Sequence, residues 1–600
     1  MQESEGVPIM RLRRALYCMI LLVCGGLTAC KEPNPWEKGK KVVHYGLRAK
    51  VGSLDPVRSS TQYAGLAQAQ VYEPILTYKY LVRPYELEPL LLTSMPKVSD
   101  DMLVYTFELK KGIYFHDDAC FEATGGHGRE VVAKDVIYSL MRMADRDLTP
   151  GGWWIYNDRI VGFNAFQERM NARPSGAPFD WDAPIEGLQV LDKYRFRITL
   201  VRPFPQFLYV LAMNYAAVVP RECAEYYGKE FGNHAIGTGP FILKSWIRGN
   251  RLVYERNPNY RDEYYPVEAS EEFKERGLLA AAGKKIPFID GLVFHIYEQD
   301  QPMWLKFRVG DIDLTQVPAE YFSSVFDQKL QLRPIFKKEG IGNYNVPLLD
   351  YIYHGFNMED PVFGKGKRAR LVRRAISLAF DVDEINDAFY NNTNICYDGP
   401  IPPGLDGYDP DLKAPYRGPD LERARALLAE AGYPGGEGLP PLQYEISQGG
   451  NTIEQAEMLV RQLKRIGIEL TVNPNSFPEL SEKLKRKKAQ FFSLAWGADY
   501  PDAENFLQLF YGPNEAPGSN NFNYKNPEYD RIFEEARTMP PSPERTALYI
   551  KLRNILLDDV PAFGSMARTR FYVWNPGLKN VLPDEVSVNW FKYLDVEEVH

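Results

Sequence analysis

Beyond its first thirty residues the sequence lacks any apolar run long enough to cross a bilayer as a helix. The best stretch, Phe207 to Val219, is interrupted by Asn214 and falls short of the roughly twenty residues a span needs, so it is expected in a core. A basic excess is also missing. With 71 Lys and Arg against 79 Asp and Glu, the formal charge is -8, which removes the general electrostatic reason to bind nucleic acid. Cysteine is scarce: of six, only Cys120, Cys223 and Cys396 lie beyond Cys30. Outside the cytoplasm these allow one disulfide and a spare thiol, and the sequence does not choose the pair. Nor is there a Gly-x-x-x-x-Gly-Lys-Ser/Thr loop, a His-Glu-x-x-His helix or a Gly-x-Ser-x-Gly elbow, so familiar phosphate, zinc and serine-hydrolase chemistries lack their parts. His116, Asp117, Asp118 and Cys120 are metal-ligand types, but their spacing fits no closed site. No metal, cofactor or catalytic residue is expected.

What is present is an ordinary globular mix, 45% apolar and 25% charged, in 600 residues, a length that favours two or three lobes over one core. Thirty-eight Tyr, 32 Phe and 9 Trp either fill those cores or offer amphipathic rings to small polar ligands.

The chain opens with Arg11, Arg13 and Arg14, then an apolar stretch from Ala15 to Gly26, then Leu27-Thr28-Ala29-Cys30. Positive start, short apolar core and small residues before a cysteine describe an export signal over residues 1–29, with Met10 a candidate start. Leu-Thr-Ala-Cys resembles the bacterial lipobox, which implies lipidation of Cys30 and an extracytoplasmic, membrane-anchored protein; a plain secretory signal is the simpler alternative. Two or three acyl chains would hold the anchor stably, at about 0.8 kcal/mol per buried methylene. Residues 30–41, polar and with Pro33 and Pro35, read as a tether.

Strands and helices then alternate without a repeat. Leu103 to Leu109 has the period-two alternation of a half-buried strand, closed at Lys111-Gly112, and Thr124 to Gly128 reads as a surface loop. Asp420 is placed to cap a helix whose apolar face is Leu421, Ala424, Leu427, Leu428 and Ala431, ended by Gly432. Ile453 to Ile466 repeats the pattern up to Gly467, and Ile468, Leu470 and Val472 alternate as a strand. Helix then strand, twice, is α/β organisation.

A series of short motifs resembles the peptide/nickel-type family of extracellular solute-binding proteins, the oligopeptide- and dipeptide-binding components of bacterial ABC importers. Ser53-Leu54-Asp55-Pro56, Val71-Tyr72-Glu73-Pro74, Phe115-His116-Asp117-Asp118 and Ala133-Lys134-Asp135 stand in order. Gly237-Thr238-Gly239-Pro240-Phe241, Asn257-Pro258-Asn259-Tyr260, Phe356-Asn357-Met358, Arg373 to Asp381, Glu430 to Pro434, Trp496 to Asp502 and Ser519 to Phe522 follow. The resemblance implies an α/β periplasmic-binding-protein fold of two lobes joined by a hinge. Lobe I would take 42–72, 206–300 and 567–600, an extra domain 73–205, and lobe II 301–566. It implies a monomer that binds peptides without converting them and passes them to permease subunits; nickel chelates, haem, oligosaccharides or opine-like compounds are other family ligands, and a surface binding protein outside transport is the alternative role.

Gly237 and Gly239 read as a rigid turn of close backbone packing, and Asn357 and the Arg373–Asp381 segment as interlobe scaffold. The candidate ligand loop is Trp496, Gly497, Ala498, Asp499 and Tyr500. The Trp496 face would cover an apolar side chain while Asp499 offers its charge to an ammonium. In the resembled family the matching aspartate receives the peptide amino group; the alternative is that Asp499 caps Tyr500-Pro501 or a nearby helix. The arginine some relatives carry just before this Trp is absent, Ser493, Leu494 and Ala495 standing there, so the receiver of a ligand carboxylate is left open.

Overall fold

The structure is a computed structural model and describes residues 35–58, 61–174 and 177–597. The leader 1–29 and Cys30 lie outside the described residues. Residues 35–41, expected in the tether, already pack on the body. The Trp36 indole donates to Glu255 at 3.2 Å, and the Lys41 backbone N–H donates to Asp290 at 2.9 Å.

Two large sheets carry separate cores. The first runs, in spatial order, Gly342–Pro347, Thr569–Trp574, Leu314–Gln316, Val42–Leu47, Gly291–Ile296, Arg251–Arg256 and Phe241–Ile247. Val42–Leu47 pairs in parallel with Gly291–Ile296, from Val42 opposite Gly291 to Leu47 opposite Ile296. The second runs Ile395–Cys396, Ala562–Ala567, Asp350–Phe356, Phe491–Gly497, Leu442–Ser447 and Leu470–Asn475. A smaller sheet, Lys97–Val98, Val104–Glu108, Arg195–Thr199 and Leu188–Val190, enlarges the first lobe. Its alternation is the one expected: Tyr105 and Phe107 point inward, and Phe107 stacks on Phe196 at 4.8 Å between ring centroids. Each such ring, fully buried, contributes about 1.5–3 kcal/mol.

Helix Leu421–Glu430 starts at Asp420, whose side chain accepts from the Arg423 N–H, and buries Ala424 and Leu428. Helix Thr452–Lys464 buries Ala456, Leu459 and Leu463 against the same sheet. Phe207 to Val219 is core: a short helix, Phe207–Val210, and a turn, Asn214–Ala216. Among the described residues no helix is long and apolar enough to cross a membrane.

One expected boundary moves. Residues 301–347, assigned with lobe II, belong to the first sheet: Leu314–Gln316 pairs with Val42–Leu47, Gly342–Pro347 pairs with Thr569–Trp574, and Met303, Trp304 and Phe307 pack on Phe571 and Val573. The chain enters the second sheet only between Pro347 and Asp350 and returns between Ala567 and Thr569. These two crossings lie side by side, the Leu348 N–H donating to the Arg568 carbonyl at 2.9 Å and Arg568 pairing with buried Asp350.

The motifs nearest the first sheet converge on buried charge. Glu73 accepts from both Arg261 Nη atoms at 2.6 and 2.9 Å, from the Tyr260 hydroxyl at 2.9 Å and from Thr238 at 2.8 Å. Asp55 is paired bidentately with Arg142 at 2.7 and 2.8 Å. Gly237 and Gly239 press on the segment before Glu73: a Cβ on either would lie 2.1 or 2.6 Å from the Val71 carbonyl oxygen. Asn357 and Arg373, by contrast, are not interlobe scaffold. Arg373 donates to the carbonyls of Phe363, Gly364, Asp559 and Val560, and Asn357 bonds Lys487 and Asn523, all within the second lobe. The helix carrying Arg373 packs along that sheet, so its guanidinium reaches the end of the neighbouring helix Pro543–Asp559.

Candidate functional site

Strand Phe491–Gly497 runs antiparallel to Asp350–Phe356, with Gly497 opposite Asp350 and Trp496 opposite Tyr351. Its end therefore arrives where the first crossing enters the second lobe, and the Ala498 N–H donates to the Leu349 carbonyl at 2.8 Å. The next three residues are aimed at the first lobe. Tyr500 is buried and stacks on Tyr209, with ring centroids 6.1 Å apart and planes within 4°. Ala498 and Asp499 line a cavity of about 280 Å³, near the lower end of small-molecule pockets, whose other walls are residues 61–78, 212–215 and 585–589.

Asn505, on the short helix Glu504–Leu507, organises the loop. Its Oδ1 accepts from the Trp496 indole at 2.9 Å and from the Asp499 N–H at 3.1 Å, while its Nδ2 donates to Asp499 Oδ2 at 3.0 Å. Burial pushes the Asp499 carboxyl up to about 6, against the Asn505 hydrogen bond, with the Glu504 charge adding to the rise. Among the described residues Asp499 accepts no backbone N–H; the N–H of Glu504, where that helix begins, goes instead to Asp502 at 2.9 Å. The Asp499 charge is felt across the cleft, since burial first and then Asp499 raise the Tyr215 hydroxyl above its ordinary range.

Of the five loop residues expected at a ligand, Ala498 and Asp499 line the cavity and Trp496, Gly497 and Tyr500 do not. Trp496 packs on the second-lobe core with its N–H spent on Asn505, and a Cβ on Gly497 would meet open space. Sequence reading missed Glu585, Tyr215, Asn214 and Asn589. Glu585 accepts from Tyr572 at 2.5 Å, from Arg570 at 3.0 Å and from Gln62. No local signal marks these residues, because they meet Asp499 only through the folding of two lobes.

The sulfur and histidine of the candidate metal motif are engaged elsewhere. Cys120 and Cys223 form a disulfide, so their sulfurs are not available to a metal beside Asp118. His116 is buried, with Nε2 2.9 Å from the Gly239 carbonyl, and burial lowers it to about 4. Cys396 keeps its thiol, and burial pushes that up to about 12.

Residues 86–518 match the family model described as bacterial extracellular solute-binding proteins, family 5 middle region. The chain belongs to this family. Among curated relatives, Heme-binding protein A of Haemophilus influenzae is 26% identical over 98% of both chains. Di/tripeptide-binding protein 2 of Pseudomonas aeruginosa is 26% identical over 92% of this chain and 93% of its own. The periplasmic binding protein DppA of Helicobacter pylori, solved with the peptide STSA, superposes with a TM-score of 0.68 over 94% of this chain and all of its own, at 24% identity. The chain thus has the two-lobed α/β fold that the motifs imply.

Proposed function

We propose that this family 5 protein is a lipid-anchored, extracytoplasmic receptor that captures a short peptide-like solute by its amino group and delivers it to the permease of an ABC importer. The observation that carries the reading is Asp499: a carboxylate with no cationic partner among the described residues, held by Asn505 on the wall of a cavity between two lobes. An ammonium entering there pairs with it, and closure of the lobes about the two crossings excludes water and strengthens the pair. Nothing in this scheme changes the ligand; the protein binds and releases. The haem-binding relative suggests another ligand class, for whose iron the described lining offers Met213 and tyrosines but no histidine or cysteine.

Lipid on Cys30 would keep the receptor beside its permease. The test of the ligand reading is equilibrium binding of short peptides against their N-acetylated counterparts, with native mass spectrometry of protein purified without denaturation. Free-amine peptides bind and acetylated ones do not. Equal binding of both, or a co-purified ligand without an amine, sinks the reading.

A further inference from the structure

The charge balance of the cavity says more about its ligand than the presence of Asp499 does. Among the described residues its lining holds two carboxylates, Asp499 and Glu585, and no lysine, arginine or histidine. The cation beside Glu585, Arg570, is not among the lining residues and is bound to both carboxylate oxygens through Nη1, at 3.0 and 2.9 Å. That pair is neutral, and Tyr572 and Gln62 complete the hydrogen bonding of Glu585. Asp499 is thus the one uncompensated charge that the described residues turn toward the space.

The other groups on the walls are neutral amides and hydroxyls. Asn214 donates to the Gly65 carbonyl at 3.0 Å, and Ser587 donates to Asn589 at 2.9 Å. At the crossings, half-exposed Arg568 is committed to Asp350 and does not line the cavity. A ligand carboxylate drawn into this space loses its hydration and meets the uncompensated Asp499 charge, with no cation on the lining to replace the water.

Resting on the reading that Asp499 receives an ammonium, we infer that the ligand is a compact cation: an amine whose far end is neutral, such as a peptide amide, an aminoacyl amide or an amino alcohol, rather than a zwitterionic peptide. The small volume, about 280 Å³, favours one or two residue-sized units over a long peptide.

The test is a panel of matched pairs measured by calorimetry on the full mature protein: L-alanyl-L-leucine against L-alanyl-L-leucinamide, L-leucine against L-leucinamide, and the N-acetyl form of each amide. The amides bind at least about tenfold tighter than their acids. Binding of the acids as tight as that of the amides overturns this inference and leaves the amine reading standing. Binding of the acetylated amides as tight as that of the free amines, or no binding by any amine in the panel, overturns both.

Discussion

Asn505 and Asp499 hold each other twice, Asn505 Nδ2 donating to the Asp499 carboxylate at 3.0 Å and the Asp499 N–H donating to Asn505 Oδ1 at 3.1 Å. The same Oδ1 takes the Trp496 indole N–H, so one buried amide fixes both ends of the loop. Asn505→Ala leaves these groups without partners at a cost of about 1–3 kcal/mol in stability, and it weakens amine binding because the carboxylate is no longer aimed. Urea unfolding and calorimetry measure the two losses; unchanged affinity for the amine would show that Asn505 does not position the site.

Acidity follows from the raised Asp499 carboxyl. An ammonium pairs with the ionised form, and burial holds this carboxyl at about 6 in the free protein. Affinity is therefore highest between that pH and the ordinary α-amino range of about 7.7–8.0, and it falls below that window, approaching about tenfold per pH unit as the carboxyl protonates. The same shift acts oppositely on folding. The native state keeps its proton to higher pH than the unfolded chain, so this group lowers stability as pH rises from the ordinary carboxyl value of 3.8 towards 6. Binding titrations between about pH 4 and pH 8 read the first effect, and a ligand affinity constant across that range contradicts it.

The helices Leu421–Glu430 and Thr452–Lys464 were legible because period, cap and terminal glycine lie close together along the chain. The packing role of Gly237 and Gly239 was legible because alternate glycines followed by a proline specify a stiff turn on which a neighbouring backbone can close. The true entry into the second lobe was not, since Gly342–Pro347 owes its sheet to pairing with Thr569–Trp574, far away along the chain. Asp499 could be picked out as a carboxylate near a tryptophan, whereas Glu585, Tyr215 and Asn505 carry no motif. Trp496 was read as a ligand cover because sequence does not show that its N–H is spent within its own lobe.

Asp55 and Arg142 form a buried pair, with side chains 5% and 4% exposed. Asp55→Ala leaves the guanidinium without its carboxylate and destabilises the first lobe by about 3–5 kcal/mol. Thermal or urea unfolding measures it, with amine affinity retained in the folded fraction. A loss under about 1 kcal/mol, the range of exposed pairs, contradicts the assignment.

The Cys120–Cys223 disulfide closes a separation of 103 residues and ties the loop beside Phe121 to helix Arg221–Tyr227. Replacing both cysteines with serine costs about 2–5 kcal/mol. In the oxidised native protein the Cys396 thiol, raised to about 12, alkylates slowly at mildly alkaline pH and rapidly once unfolded. Urea unfolding of the double variant measures the stability loss, and peptide mapping after alkylation checks the Cys396 reactivity; rapid native labelling at Cys120 or Cys223 refutes the pairing.

The central claim is that the Asp499 charge receives the ligand's ammonium, and Asp499→Asn isolates charge from volume. Calorimetry with the tightest-binding amine of the matched panel compares the variant with wild type, and thermal melts confirm that the variant folds. Leaving the ammonium unpaired in a closed site costs about 2–5 kcal/mol, a loss of roughly thirty-fold to several thousand-fold in affinity. Binding by the variant within about threefold of wild type, a difference of ~0.7 kcal/mol, would contradict the account.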